Sequence, residues 1–233
     1  MGSRRVVFWD FDGTLAQRDG AWPEVLRDTI LAVDPLNAVS VDSLAAGLRA
    51  GFPDWAPGEM RVYPDAAAWW AAASRPLITA LLGAGIPSEI AGRAIAEVPR
   101  IYYQPAHWNT LPGAFRALTQ TIDAGFTNVI LSNHAPELPV LVDALGFGPL
   151  VERTITSASL GIEKPNPTVF RTALQLVDAA VDSWMIGDNP IADVAGARAA
   201  GMRALLVHRR ETGLKSVTLM DAAAQVIQDG PTG

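Results

Sequence analysis

The chain has 233 residues, 49% of them hydrophobic and 18% charged, with a net charge of −6 and no cysteine. That composition describes a packed globular protein and excludes long disorder, disulfides and thiolate chemistry, while the acidic balance offers no footprint for nucleic acid. No apolar run approaches membrane-spanning length, and MGSRRVVFWDFDG meets Asp10 too early for a signal-peptide core, so a soluble, cytoplasmic protein with no membrane partner is expected.

The first apolar run, 6–10, reads as a strand buried on both faces. Its end carries D-F-D-G-T-L, which sets Asp10 and Asp12 one residue apart and follows them with Gly13 and Thr14. Carboxylates are seldom buried without a partner, so the rest of the chain must supply positive charge. From 17 to 109 helix signals dominate, at 22–36, 41–50, 64–82 and 87–103, and no convincing strand is found. Glycine and proline punctuate this stretch at Pro35, Gly51, Pro53, Pro57-Gly58, Gly83, Gly85 and Pro105. The pattern predicts an inserted α-helical cap domain over 17–109, with hinges at 16–21 and 109–112.

Beyond it the chain alternates. Short apolar runs at 128–132, 154–157, 184–187 and 204–207 are separated or followed by helical patterns at 112–124, 136–145, 167–177, 191–200 and 216–228. Strands alternating with helices of this length predict an α/β fold built on a doubly wound parallel sheet, its core domain formed by 1–16 and 110–233.

In open α/β sheets ligands bind beyond the carboxyl ends of the strands. The predicted strand ends carry Asp10 and Asp12, then Ser132-Asn133-His134, then Glu163-Lys164-Pro165, then Asp188-Asn189 with Asp193 beyond. Carboxylates, a hydroxyl and one lysine on one edge suit phosphoryl transfer. Magnesium takes hard oxygen ligands and works beside phosphate, so Asp10 and Asp188 are candidate ligands for Mg2+. Clustered carboxylates without a cation would raise one another's pKa. Lys164 can hold a carboxylate and a phosphate oxygen, and Ser132 with backbone N–H groups can bind the remaining phosphoryl oxygens.

D-F-D-G-T-L, a strand ending in Ser132, Lys164-Pro165 and the G-D-x-x-x-x-D run at 187–193 together resemble the four ordered motifs of the haloacid dehalogenase (HAD) superfamily. The resemblance covers 5–16 and about 111–208. It implies a Rossmann-like core and a role for each matching residue. Asp10 would be the nucleophile, forming an aspartyl-phosphate. Asp12 would give its backbone carbonyl to the metal and its side chain to general acid–base work. Thr14 would fix the loop and, with Ser132, Asn133 and Lys164, belong to the phosphate-binding set. Asp188 would ligate the metal, with Asp193 as an outer or direct acidic partner.

Within the superfamily, Asp12 favours a phosphatase over a dehalogenase, because an alkoxide leaving group needs a proton and a halide does not. The only lysines are Lys164 and Lys215, so no lysine of the insertion can form a Schiff base. The insertion resembles a C1-type cap, which implies a small phosphorylated metabolite as the partner. A phosphomutase, or a binding or regulatory protein with vestigial hydrolysis, remains the alternative. The pairs Trp69-Trp70 and Tyr102-Tyr103 read as packing. Trp108 beside the hinge and His134 beside Ser132 are the candidate substrate contacts. His107 and His208 lack neighbours that would make a zinc site.

Overall fold

The structure, a computed structural model, describes residues 4–51, 63–208 and 216–229. Lys215 and the punctuation at Phe52-Pro53 and Pro57-Gly58 lie outside the described residues. The chain divides into two compact units, one of residues 1–17, 57–62 and 109–233, the other of 18–56 and 63–108.

The first unit is built on a parallel sheet. Its strands are β1 (Val6–Trp9), β4 (Thr127–Ser132), β5 (Arg153–Thr156), β6 (Trp184–Gly187) and β7 (Arg203–Leu206), in the order β5-β4-β1-β6-β7. Every residue of β1 is fully buried, which is why VVFW is apolar throughout instead of alternating. The register pairs Phe8 with Val129 on one side and with Met185 on the other. One continuous core holds Phe8, Val129, Leu131, Ile155, Phe170 and Met185. The helices of this unit are α5 (Ala114–Asp123), α6 (Leu138–Ala144), α7 (Ser157–Leu160), α8 (Pro167–Leu176), α9 (Gly196–Ala199) and α10 (Leu219–Gln228). Helix α8 starts where its sequence signals it. Asn166 accepts from the Thr168 N–H, and Pro167 takes the first position, where a missing N–H removes no bond.

The second unit contains α1 (Trp22–Val33), α2 (Val41–Gly51), α3 (Ala66–Gly83) and α4 (Ser88–Tyr102). Its separate core joins Leu26, Ile30, Leu44, Leu77, Ala94 and Val98. The aromatic residues of this unit pack on one another: Trp22 stacks on Tyr102 with ring centres 4.8 Å apart, and Trp69 meets Trp70 edge-on at the same distance.

The expectation of no strand between 17 and 109 needs correction. Two strands of three residues, β2 (Ala16–Arg18) and β3 (Trp108–Thr110), pair in a small sheet of their own where the chain passes between the units. Three residues are too few to show a period of two, so pairing alone reveals them. Among the described residues no helix is long and apolar enough to cross a membrane.

Candidate active site

Strand β1 delivers Asp10 to the sheet's carboxyl edge, where its backbone N–H continues the ladder by donating to the Ile186 carbonyl at 2.8 Å. The chain then turns tightly. The Phe11 carbonyl accepts the N–H groups of Thr14, Leu15 and Ala16 at 3.2, 2.9 and 3.1 Å, while Gly13 donates to the Ala16 carbonyl at 2.8 Å. Phe11 is fully buried and meets His134 and Phe147 edge-on, with ring centres 6.1 and 6.3 Å away. This wedge holds down the middle of D-F-D, leaving Asp10 nearly buried and Asp12 exposed.

Gly13 is required twice over. Its φ is +80°, in the left-handed region that disfavours a side chain, and a Cβ there would sit 2.8 Å from Oδ2 of Asp188. Gly187 has a similar task at the end of β6, where a Cβ would fall 2.2 Å from Oδ2 of Asp193. The bare backbone makes room for that buried carboxylate. Neither glycine belonged to the candidate set drawn from the sequence. The signal was there in their position, one directly after D-F-D and the other directly before Asp188.

Asp193 is fully buried in the π-type turn Pro190–Ala195. Asn189 starts that turn, accepting the N–H groups of Ile191 and Ala192 at 2.9 Å each, and donates its own N–H to Asp193 Oδ2 at 2.9 Å. The other oxygen, Oδ1, accepts from Lys164 Nζ at 2.6 Å. Lys164 spends its remaining two donors on Asp10 Oδ1 and the Leu131 carbonyl, both at 2.9 Å. All three N–H bonds of the ammonium are therefore taken within the site. Burial pushes this ammonium down, but the charges of Asp10 and Asp193 and the hydrogen bonds to both outweigh it, so Lys164 stays above the ordinary lysine range. Burial raises Asp193 to about 6, with Asp10 adding to the rise and Lys164 opposing it.

A cavity of about 270 Å³ opens above these groups, lined by Asp10, Asp12, Ser132, Asn133, Lys164, Asp188, Asn189, Ala192 and Asp193. Eight of the nine lining residues are polar or charged, so its chemistry suits a polar, anionic group in the company of a cation. Carboxylate oxygens of Asp10, Asp188 and Asp193 lie within 4.8 Å of one another. With Asp12, four carboxylates face one ammonium around this cavity. A hard divalent cation such as Mg2+ fits that donor set, which is all oxygen and strongly anionic.

Three candidate residues lie elsewhere. Thr14 is fully buried below the loop, and its hydroxyl has no hydrogen-bond partner among the described residues. His134, a candidate substrate contact, is buried and packs against Phe11. Burial brings its pKa down to about 4, with the charge of Asp10 opposing the fall and that of Lys164 adding to it. Trp108 belongs to the helical unit, is 4% exposed and donates its indole N–H to the Tyr102 carbonyl at 2.9 Å.

The haloacid dehalogenase-like hydrolase family matches residues 4–201. Phosphoserine phosphatase from Thermus thermophilus is 35% identical over 150 residues, covering 62% of this chain and 59% of that protein. Human haloacid dehalogenase-like hydrolase domain-containing protein 3 is 32% identical over 126 residues, 53% of this chain and 50% of its own. The chain thus spans half to three-fifths of the length of these curated relatives. A 2-haloacid dehalogenase from Pseudomonas syringae pv. Tomato superposes with a TM-score of 0.66 at 24% identity, over 97% of this chain and 98% of the other. That likeness is one of fold.

Proposed function

The chain belongs to the haloacid dehalogenase-like hydrolases, and from that membership and the chemistry of its cavity we propose that it is a Mg2+-dependent phosphatase of a small phosphomonoester. The observation that carries this reading is the pairing of Asp10 with Asp12 on one cavity wall, the first almost buried and held by Lys164, the second exposed. The two environments suit two different tasks. A carboxylate anchored through Oδ1 is oriented for attack, and one in contact with solvent can exchange protons.

In the first step a carboxylate oxygen of Asp10 bonds to phosphorus as the bond from phosphorus to the ester oxygen breaks. The Asp12 carboxyl gives its proton to that departing oxygen. In the second, Asp12 takes a proton from water, whose oxygen attacks the aspartyl-phosphate and releases phosphate with Asp10 restored. Ser132 and backbone N–H groups of the D-F-D-G loop hold the phosphoryl oxygens. Asp10, Asp188 and the Asp12 carbonyl would hold the Mg2+, which when bound supplies positive charge beside the phosphoryl oxygens. Asp193 has both oxygens engaged, by Lys164 and by the Asn189 N–H, so its part is to hold those two groups in place. The phosphatase-named relative supports this reaction over dehalogenation, and the helical insertion supports a small substrate over a phosphoprotein.

Hydrolysis of p-nitrophenyl phosphate is the direct test. Turnover is expected with Mg2+, to vanish with EDTA and to fall at least about a thousandfold in Asp10→Asn. Metal-independent turnover that survives Asp10→Asn would overturn the proposal.

A further inference from the structure

Lys164 is gripped twice by the end of one strand. Its ammonium donates to the Leu131 carbonyl at 2.9 Å, and two residues further on the side chain of Asn133 holds its main chain. That second grip is reciprocal: Asn133 Nδ2 donates to the Lys164 carbonyl and Asn133 Oδ1 accepts the Lys164 N–H, each at 2.8 Å. A carboxamide thus pairs with both backbone groups of one residue, as a neighbouring strand would, across 31 residues of sequence. Lys164 lies outside any helix or strand. Among the described residues its backbone N–H and C=O have no other hydrogen bond, and the nearest support along the chain is the turn in which Asn166 donates to Glu163.

We infer that Asn133 is a positioning residue that acts through Lys164, and that its clamp, not a contact with phosphate, is its contribution to the reaction. This rests on the phosphatase reading given above. The lysine side chain has four rotatable bonds, and its ammonium must meet three acceptors at once. That requires its Cα to be placed to within a fraction of an ångström, and a displacement of about 1 Å in a catalytic group can reduce the rate about a hundredfold. Asn133 sits directly after Ser132, so a single strand end sets both the phosphoryl-facing hydroxyl and the lysine that orients Asp10.

The test uses the Mg2+-loaded full chain and the Asn133→Ala variant. A loss of about 10- to 100-fold in kcat is expected, with KM and inhibition by inorganic phosphate changed by less than about twofold. In a Lys164→Met background, adding Asn133→Ala is expected to cost less than about a further twofold, because its effect passes through the missing side chain. A second readout needs no activity. Lys164 is 4% exposed and one of only two lysines in the chain, so acetylation by an N-hydroxysuccinimide ester can be followed at that residue by mass spectrometry. Its labelling is expected to quicken at least about fivefold in Asn133→Ala, since the opened state becomes more populated. Should that variant fail to fold, Asn133→Ser, too short to span both backbone groups, takes its place.

A KM or phosphate inhibition constant raised about tenfold with kcat unchanged would make Asn133 a phosphate ligand and overturn the inference. Unchanged kcat together with unchanged labelling would overturn it as well. If the wild-type chain hydrolyses no phosphomonoester, the phosphatase reading fails, and the labelling comparison still decides whether the clamp holds the lysine.

Discussion

A Cβ placed on Gly13 would lie 2.8 Å from Oδ2 of Asp188, so the loop after β1 and the loop after β6 meet with no room for a methyl group. Gly13→Ala must therefore either rotate the Asp188 carboxylate or shift the loop, and it also strains a φ of +80°. We expect at least about a tenfold loss of kcat and about 1 kcal/mol of stability, read by steady-state kinetics and by thermal or urea melts. A fully active Gly13→Ala would show that Asp188 has no fixed position in the working enzyme.

In the proposed phosphatase reaction Asp12 supplies the proton for the leaving group and later removes one from water. With p-nitrophenyl phosphate the leaving group departs readily as an anion, so the first step is less sensitive to the loss of an acid than the second. Asp12→Ala is expected to release about one equivalent of p-nitrophenolate per site in a rapid burst and then stall. Steady turnover at the wild-type rate would remove Asp12 from the mechanism.

Asp188 is only partly buried and shares the oxygen cluster with Asp10 and Asp193. Adding Mg2+ to about 100 times its dissociation constant is expected to stabilise the fold by about 2.7 kcal/mol. The shift in melting temperature should disappear in Asp188→Asn and persist in Ser132→Ala, a cavity residue with no place in the proposed ligand set. Equal shifts in all three proteins would put the cation elsewhere.

His134 gives the stability a pH dependence whose sign is fixed. Burial lowers its pKa from 6.5 to about 4, so between those values the unfolded chain binds a proton that the native chain does not. Stability falls as the pH drops through this window, by about 2 kcal/mol between pH 7.5 and 5. His134→Leu lacks this contribution, while the carboxylates titrate in both proteins. Urea unfolding of the two as a function of pH should therefore diverge by that amount on the acid side. Parallel curves would mean that the imidazole is protonated in the native protein.

Much of the core was legible because its determinants are local. Strand 6–10 shows itself as β1 through uninterrupted apolarity, and the runs at 128–132 and 184–187 do so in the same way. Helix α8 is announced by the helical pattern at 167–177, and the four helices of the inserted segment by their spacing and punctuation. What stayed hidden was either too short or too distant. Strands β2 and β3 have three residues each and depend on pairing with one another across about 90 residues. His134 read as a candidate substrate contact because it follows a strand end beside Ser132, yet the wall that buries it includes Phe11, more than a hundred residues earlier.

The sequence by itself determined which chemical groups stand at the strand ends, since each occupies a fixed place in its own run of residues: Asp10 and Asp12 after one strand, Ser132 after another, Asp188 after a third. Only the tertiary structure decided their partners. Strand order β5-β4-β1-β6-β7 sets β4 and β6 on either side of β1, so Lys164 reaches Asp10, Leu131 and Asp193 together, and the Asn133 side chain pairs with the lysine's backbone. The reason is physical: a hydrogen bond or a buried charge pair depends on distances of a few ångströms between residues far apart in the chain, and only the packed sheet sets those distances.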